Sequence, residues 1–203
     1  MKRSLALIGV ALAVLGWYAP WVTSTRRLAA LTYNALDLTE FSKFIIRAGM
    51  ASITREWFLV PLIAAALALA LWASQPDSLS RPLRYALTFL AAVLCLVPLP
   101  PYPFFLKAYR SAEDRLSFWL CIAGVLGVAL VFALSRRVTG RWRSVAFGML
   151  ALLGAVPATW EFFMRALPAI SQVYGSPAQP VWGLWAVLAG FVLLAVSAAL
   201  REA

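Results

Sequence analysis

Glu161 and Arg165 form the most distinctive ionisable pair in this sequence. They stand one helical turn apart, beside Trp160 and in otherwise apolar surroundings. A Glu followed four residues later by an Arg favours a local ion pair on a helix. The alternative is a polar anchor in an outward-facing cavity, which would bind a lipid headgroup or a loop of a partner protein.

Other carboxylates occur in two segments that have the pattern of helix starts. Asp37 and Glu40 have the spacing of a capping box, and Ser111 to Asp114 repeats it before Arg115. Capping and matching of the helix dipole are the ordinary roles of such residues. The alternative is a shared polar site on one membrane face. Its candidate residues are Asp37, Glu40, Glu113, Asp114, Arg115, Glu161 and Arg165.

No catalytic residue, metal site or cofactor is predicted. The chain has no histidine, which excludes imidazole ligands for haem or zinc and acid–base schemes that use His. Glu113 and Asp114 are adjacent, but no nearby motif completes a cation site. Cys95 and Cys121 lie inside apolar runs without metal-binding spacing, so they are expected to be small space-filling side chains.

The composition is that of a membrane protein. Hydrophobic residues make up 63% of the 203 residues and charged residues only 13%, about half the charged share of a soluble domain. The net charge of +10 comes from basic residues in short stretches between apolar runs. This arrangement is typical of membrane flanks and headgroup contacts, and it argues against nucleic acid as a partner.

The apolar runs predict an all-α fold, a polytopic bundle of six transmembrane helices forming one domain over residues 1–203. Each run is close to the roughly 20 residues that cross a bilayer. The predicted spans are 4–21, 57–74, 85–99, 116–134, 144–163 and 181–200.

A short amphipathic helix is predicted over residues 37–49, in the first outer loop. Leu38, Phe41 and Ile45 recur there at helical spacing, with Glu40 and Lys43 on other faces. Such a helix would lie at the membrane interface or cover the end of the bundle.

Several breaks between spans are also predicted. Pro157 should kink the fifth span, and residues 168–180 should form a loop because they contain Gly175, Pro177 and Pro180. A proline-rich turn is expected at 98–103 and a tight basic loop at 135–143. Small residues at fourfold spacing favour close helix packing, within the chain or against a partner. These pairs are Ala123/Gly127, Gly154/Ala158 and Ala186/Gly190.

The same spans predict an inner (cytoplasmic) membrane protein with both termini in the cytoplasm. The 18 Lys and Arg residues divide evenly between the two sides, but those on the predicted inner side sit in shorter segments close to helix ends. On this topology most of the acidic residues lie outside.

Three functions remain open. The first is a non-catalytic accessory or structural subunit of a transporter-like membrane complex, which would contact lipids and other membrane subunits. The second is a membrane enzyme that uses loop carboxylates on a lipid or lipid-linked substrate at the outer leaflet. The third is a passive lipid or small-molecule facilitator. The span interiors carry no central charge, so an ion or proton transporter is not expected.

An enzyme requires at least two of the candidate carboxylates to converge with an Arg in one cavity. A facilitator requires a path through the bundle. An accessory subunit should copurify with a partner. We expect the first of the three, with its polar chemistry on one face.

Overall fold

The computed structural model describes residues 2–24, 32–75, 79–99, 105–134 and 140–202. Its helices are α1 (Lys2–Tyr18), α2 (Ala35–Arg47), α3 (Val60–Ala73), α4 (Arg81–Leu96), α5 (Phe105–Ala108), α6 (Arg115–Leu134), α7 (Gly140–Glu161), α8 (Leu167–Tyr174) and α9 (Trp182–Glu202). A 3-10 turn covers Arg55–Phe58 and a π turn covers Phe162–Ala166. The predicted turn at Pro100, Pro101 and Pro103 and the basic residues Arg136 and Arg137 lie outside the described residues.

The predicted helical fold is confirmed in its main part, but a small sheet was missed. Strands β1 (Val22–Ser24), β2 (Thr32–Tyr33) and β3 (Ala178–Pro180) pair antiparallel in the order β2-β1-β3. Val22 pairs with Tyr33 on one side and with Pro180 on the other. Strands this short carry no recognisable alternation, so their pairing depends on the helices that bring them together.

Four helical segments are long and apolar enough to cross a membrane, which fits a multi-pass membrane protein. They are Arg55–Ala73, Arg115–Leu134, Gly140–Tyr174 and Trp182–Leu200. The apolar part of α1, Ser4–Tyr18, is shorter, and α4 has only 16 residues. At 1.5 Å per residue α4 is about 24 Å long, below the roughly 30 Å of a hydrocarbon core. The predicted bundle of six spans is therefore supported for four of them.

Helix α3 lies at the centre of the bundle. It packs against α1, α4, α6 and α7, and nearly all of its side chains are buried. Its sequence, VPLIAAALALALWA, has no polar face, as expected for a helix surrounded by others. A helix therefore fills the middle of the bundle.

Helices α1 and α9 run antiparallel in close contact. Gly9 lies opposite Gly190, and Gly16 lies opposite Gly183. An added Cβ at Gly16 would come within 2.7 Å of the Gly183 carbonyl oxygen, so the two backbones approach as closely as glycine permits. Gly190, part of a predicted small-residue pair, thus packs within the chain, and so does Gly154, which faces the Phe191 ring.

Two predicted boundaries were wrong. Helix α2 begins at Ala35 and its N-cap is Asn34, so Asp37 is the third residue of the helix and not its cap. Residues 168–180 are not all loop, because α8 continues to Tyr174 and ends at Gly175, whose φ is 57°. Pro168 follows directly after the π turn Phe162–Ala166, where the regular helical hydrogen-bond pattern is already interrupted.

We call one end of the bundle the cap: residues 21–24, 32–58, 105–114 and 162–180. It lies where α1 ends and where α3, α6 and α9 begin. Four large side chains at the base of the cap and at the end of α1 are fully buried: Trp17, Trp21, Phe58 and Phe162. The Trp17 indole donates to the Phe58 carbonyl at 2.7 Å, and the Trp21 indole donates to the Gly16 carbonyl at 2.9 Å. The base of the cap is thus an aromatic layer whose indole N–H groups are hydrogen-bonded.

Candidate functional site

Asp114 is the centre of an ion-pair network in the cap. Its carboxylate lies 3.0 Å from the Lys43 ammonium of α2 and 3.4 Å from the Arg55 guanidinium of the 3-10 turn. Lys43 also contacts Glu40 at 2.8 Å, and Arg55 contacts Glu56 at 3.1 Å. The network joins α2 and the 3-10 turn to the segment before α6, which lies 59 residues beyond Arg55.

Arg55 is the most deeply buried cation of this network, with a side chain only 6% exposed. A guanidinium removed from water is tolerated only where carboxylates and hydrogen bonds compensate for the lost hydration. Glu56 and Asp114 provide that compensation. Removing one of them would leave a buried, partly unpaired charge.

Arg47 and Glu113 form a separate pair at the edge of the network. The guanidinium donates through Nε and Nη2 to the Glu113 carboxylate, at distances of 2.6–2.9 Å. Hydrogen bonding from Arg47 lowers the pKa of Glu113, and the same bond raises the pKa of Arg47. Both side chains are exposed, so this contact sets the position of α2 more than it stabilises the fold.

These residues border a cavity of about 260 Å³. Its charged lining consists of Lys43, Arg47, Arg55, Glu56 and Glu113. The cations are matched by Glu56 and Glu113 in the wall and by Glu40 and Asp114 beside it. Each carboxylate that the structure describes at this cavity therefore faces a cation, so the positive charges of the lining are balanced.

Glu161 is buried and bonds to the backbone. Its carboxylate accepts a hydrogen bond from the Thr54 amide at 2.5 Å and lies 3.3 Å from Arg165 Nη1. The predicted ion pair between Glu161 and Arg165 is confirmed. The two side chains are unequally buried, since that of Glu161 is 3% exposed and that of Arg165 is 44% exposed. Glu161 therefore ties the end of α7 to the segment before α3.

The remaining candidates do not join the network. Asp37 completes a capping box: its amide binds Asn34 Oδ1 at 2.9 Å, and its carboxylate accepts from the Asn34 amide at 3.1 Å. Arg115 is exposed at the start of α6, and its side chain has no carboxylate partner in the part of the chain that the structure describes. Ser111 Oγ accepts weakly from the Asp114 amide, at 3.4 Å. Thus Glu40, Glu113 and Asp114 come together, Glu161 pairs with Arg165 elsewhere, and Asp37 and Arg115 stand apart.

Four members of the network were not among the predicted site residues: Lys43, Arg47, Arg55 and Glu56. Lys43 and Arg47 lie one turn apart on α2, so they were identifiable as one basic edge of the amphipathic helix. Nothing local indicates that this edge faces Glu113 and Asp114, because that contact spans more than sixty residues of chain.

A second cluster in the cap is aromatic. Tyr33 stacks on Phe41, Phe41 stacks on Phe44, and the hydroxyls of Tyr33 and Tyr174 are hydrogen-bonded. Burial, followed by the contact with Tyr174, raises the pKa of Tyr33. The Tyr33 phenol therefore stays protonated at neutral pH, and the cluster joins β2, α2 and α8.

No metal-binding constellation occurs among the residues that the structure describes. The site is thus a charge-matched network beside a cavity whose lining carboxylates, Glu56 and Glu113, are each paired with an Arg. Comparison with known protein families, with curated protein sequences and with solved structures finds no match.

Proposed function

We propose that this chain is a non-catalytic accessory subunit of a membrane protein complex, and that it binds its partner through the outward face of α2. Exposed residues recur there at positions 37, 40, 44 and 47, which share one face of a helix. This stripe, namely Asp37, Glu40, Phe44 and Arg47, is the observation that carries the proposal.

The stripe suits a protein partner better than hydrocarbon. Phe44 is 52% exposed, and charged residues lie on the same face, which an interface helix would keep out of the lipid. Exposed aromatic and Arg side chains together are typical of binding hot spots. The opposite face, with Leu38, Ser42 and Ile45, is buried.

The ion-pair network supports this role by holding α2 rigidly. Lys43 contacts Asp114, and Arg47 contacts Glu113, so the helix is fixed at two successive turns to the segment before α6. A preorganised surface loses little conformational freedom when it binds. The network would then be structural, and its charges would set the position of the stripe.

A photo-crosslinking amino acid in place of Phe44 tests the proposal in native membranes. We expect a crosslink to one discrete protein, and we expect F44S to reduce copurification of that protein in mild detergent. The matched control is Leu126, which is 64% exposed on α6 and should crosslink to no discrete protein. A monomer that gives no protein adduct at Phe44 would contradict the proposal.

The enzyme function remains the second candidate, because one observation favours it. Glu56 and Glu113 line a single cavity with Arg47 and Arg55, which is the convergence that such a site requires. If the chain transformed a lipid-linked substrate, E113Q would abolish turnover while the purified protein kept its fold. If the chain is a non-catalytic accessory subunit, there is no turnover for E113Q to change. A passive facilitator is less favoured, since α3 occupies the centre of the bundle.

A further inference from the structure

The Arg165 side chain has unused hydrogen-bonding capacity. One of its nitrogens lies 3.3 Å from Glu161, whereas a guanidinium has five N–H donors. The Glu161 carboxylate is already engaged by the Thr54 amide. Among the described residues no other acceptor bonds the guanidinium, and its side chain is 44% exposed. Arg165 is thus a partly exposed cation whose other N–H donors no described residue engages.

A cavity of about 330 Å³ lies beside Arg165. Ser52 and Gln172 also line it and add a hydroxyl and an amide to the guanidinium. Together they form the donor set of a phosphate site, with a planar cation that can bind two oxygens at once and neutral donors around it. Met164 closes the side of the cavity next to α7.

A second depression continues from Met164 along α7 and α9. It has a volume of about 300 Å³, and its lining is almost wholly apolar: Ala155, Val156, Thr159, Trp160, Phe163, Met164 and Leu188. Met164 lines both cavities, so the polar pocket and the apolar groove adjoin. A ligand filling both would need a polar head and a hydrocarbon tail.

Exposed tryptophans indicate the depth of this site relative to the membrane surface. Trp160 on α7 and Trp182 and Trp185 on α9 are exposed, and the Phe163 ring lies 6.2 Å from that of Trp185. Exposed Trp residues at one end of apolar helices are typical of the membrane interface, where headgroups lie. Arg165, just beyond Trp160, is therefore at the level of lipid phosphates, and the groove lies at the level of acyl chains.

We propose that this joint cavity is a binding site for one phospholipid, with its phosphate on Arg165 and one acyl chain in the groove between α7 and α9. Glu161 is a positioning residue, since it aligns Arg165 and does not itself touch the lipid. The π turn Phe162–Ala166 places Arg165 beside the pocket, and such turns are frequent at functional sites. The proposal does not depend on the accessory role, because neither cavity includes Phe44.

Thermal unfolding of the detergent-solubilised full chain tests the proposal, with native mass spectrometry counting the bound lipids. We expect phosphatidylglycerol to raise the melting temperature and to bind at one copy. Diacylglycerol with the same chains and inorganic phosphate should each have little effect, since each fills half of the site. R165A should weaken apparent lipid affinity about tenfold or more, the usual effect of a charge-assisted contact, and R165K should weaken it less.

R115A is the matched control, because it removes an exposed cation at the same end of the bundle without touching either cavity. A155W, which adds bulk to the wall of the groove, should also reduce lipid binding while leaving the Arg165 side chain in place. Equal lipid affinity in the wild type, R165A and R115A would overturn the proposal. Equal stabilisation by inorganic phosphate would overturn the lipid as ligand. Release of a copurified partner helix by A155W, with lipid binding unchanged, would overturn it as well.

Discussion

Gly9 and Gly190 face each other where α1 crosses α9, and neither position has room for a side chain. A Cβ added to Gly9 would lie 2.6 Å from the Gly190 carbonyl oxygen, and one added to Gly190 would lie 2.5 Å from that of Gly9. The obstacle on each side is backbone, which cannot rotate away. The separation of the two helices is thus set by the absence of two methyl groups.

We predict that G9A or G190A destabilises the protein by about 1–3 kcal/mol, the usual cost of overpacking. The control is G148A, because nothing lies within 4 Å of a Cβ at Gly148 and Ala is the better helix former there. Thermal unfolding followed by tryptophan fluorescence measures the difference. Equal melting temperatures for G190A and G148A would contradict the close crossing.

Glu161 should be needed for the fold through its bond to the Thr54 amide. E161A leaves that partly buried N–H without its acceptor, at a cost of up to about 1–3 kcal/mol, whereas E161Q keeps one acceptor oxygen and should lose less. Hydrogen exchange at the Thr54 amide is the direct measurement. We expect faster exchange in E161A than in E161Q. Unchanged exchange in both variants would show that the bond is not formed in solution.

The contact between Arg47 and Glu113 should weaken in acid. The pKa of Glu113 is lowered in the folded protein relative to about 4.3 for an unperturbed Glu. Its stabilisation is therefore fully present above the unfolded value and is lost as the pH falls through the lowered folded value. The melting temperatures of the wild type and E113Q, measured against pH, should converge in acid. A difference in melting temperature that stays constant with pH would contradict this prediction. High salt should reduce that difference at neutral pH.

Asn34, and not Asp37, should behave as the N-cap of α2. We expect N34A to cost about 0.5–2 kcal/mol, and N34D, which keeps an acceptor oxygen, to cost little. Thermal unfolding of the two variants makes the comparison. A larger loss in N34D than in N34A would assign the cap elsewhere.

The long apolar runs were predictable because hydropathy alone identifies them. Residues 116–134 were predicted as a span, and α6 covers Arg115–Leu134. The start of α2 was misplaced because Asp37 satisfies the capping-box pattern at either of two positions, as the cap itself or as its third helical residue. Asn34, the observed cap, fits the same local sequence pattern. The choice between the two residues depends on where β2 ends and the helix can begin.

The site was only partly predictable for a different reason. Glu113 and Asp114 were recognised as candidates, and Glu161 with Arg165 as a local pair, since these relationships lie within one or two helical turns. The contacts of Lys43 and Arg47 with the segment before α6 depend on packing between elements distant in the chain. The glycine crossing was also missed, although Gly9 and Gly16 share their seven-residue spacing with Gly183 and Gly190. That signal becomes visible only when two distant helices are compared.

The crossing of α1 and α9 also has a consequence for the order of assembly. During synthesis α1 is made long before α9, so its glycine surface has no partner helix until the last helix has been made. Meanwhile α3, α4 and α6 can associate with their sequence neighbours as they appear. The last step is then the docking of α9 onto α1 and α7. Before that step, quality control could recognise α1 as an unpaired helix.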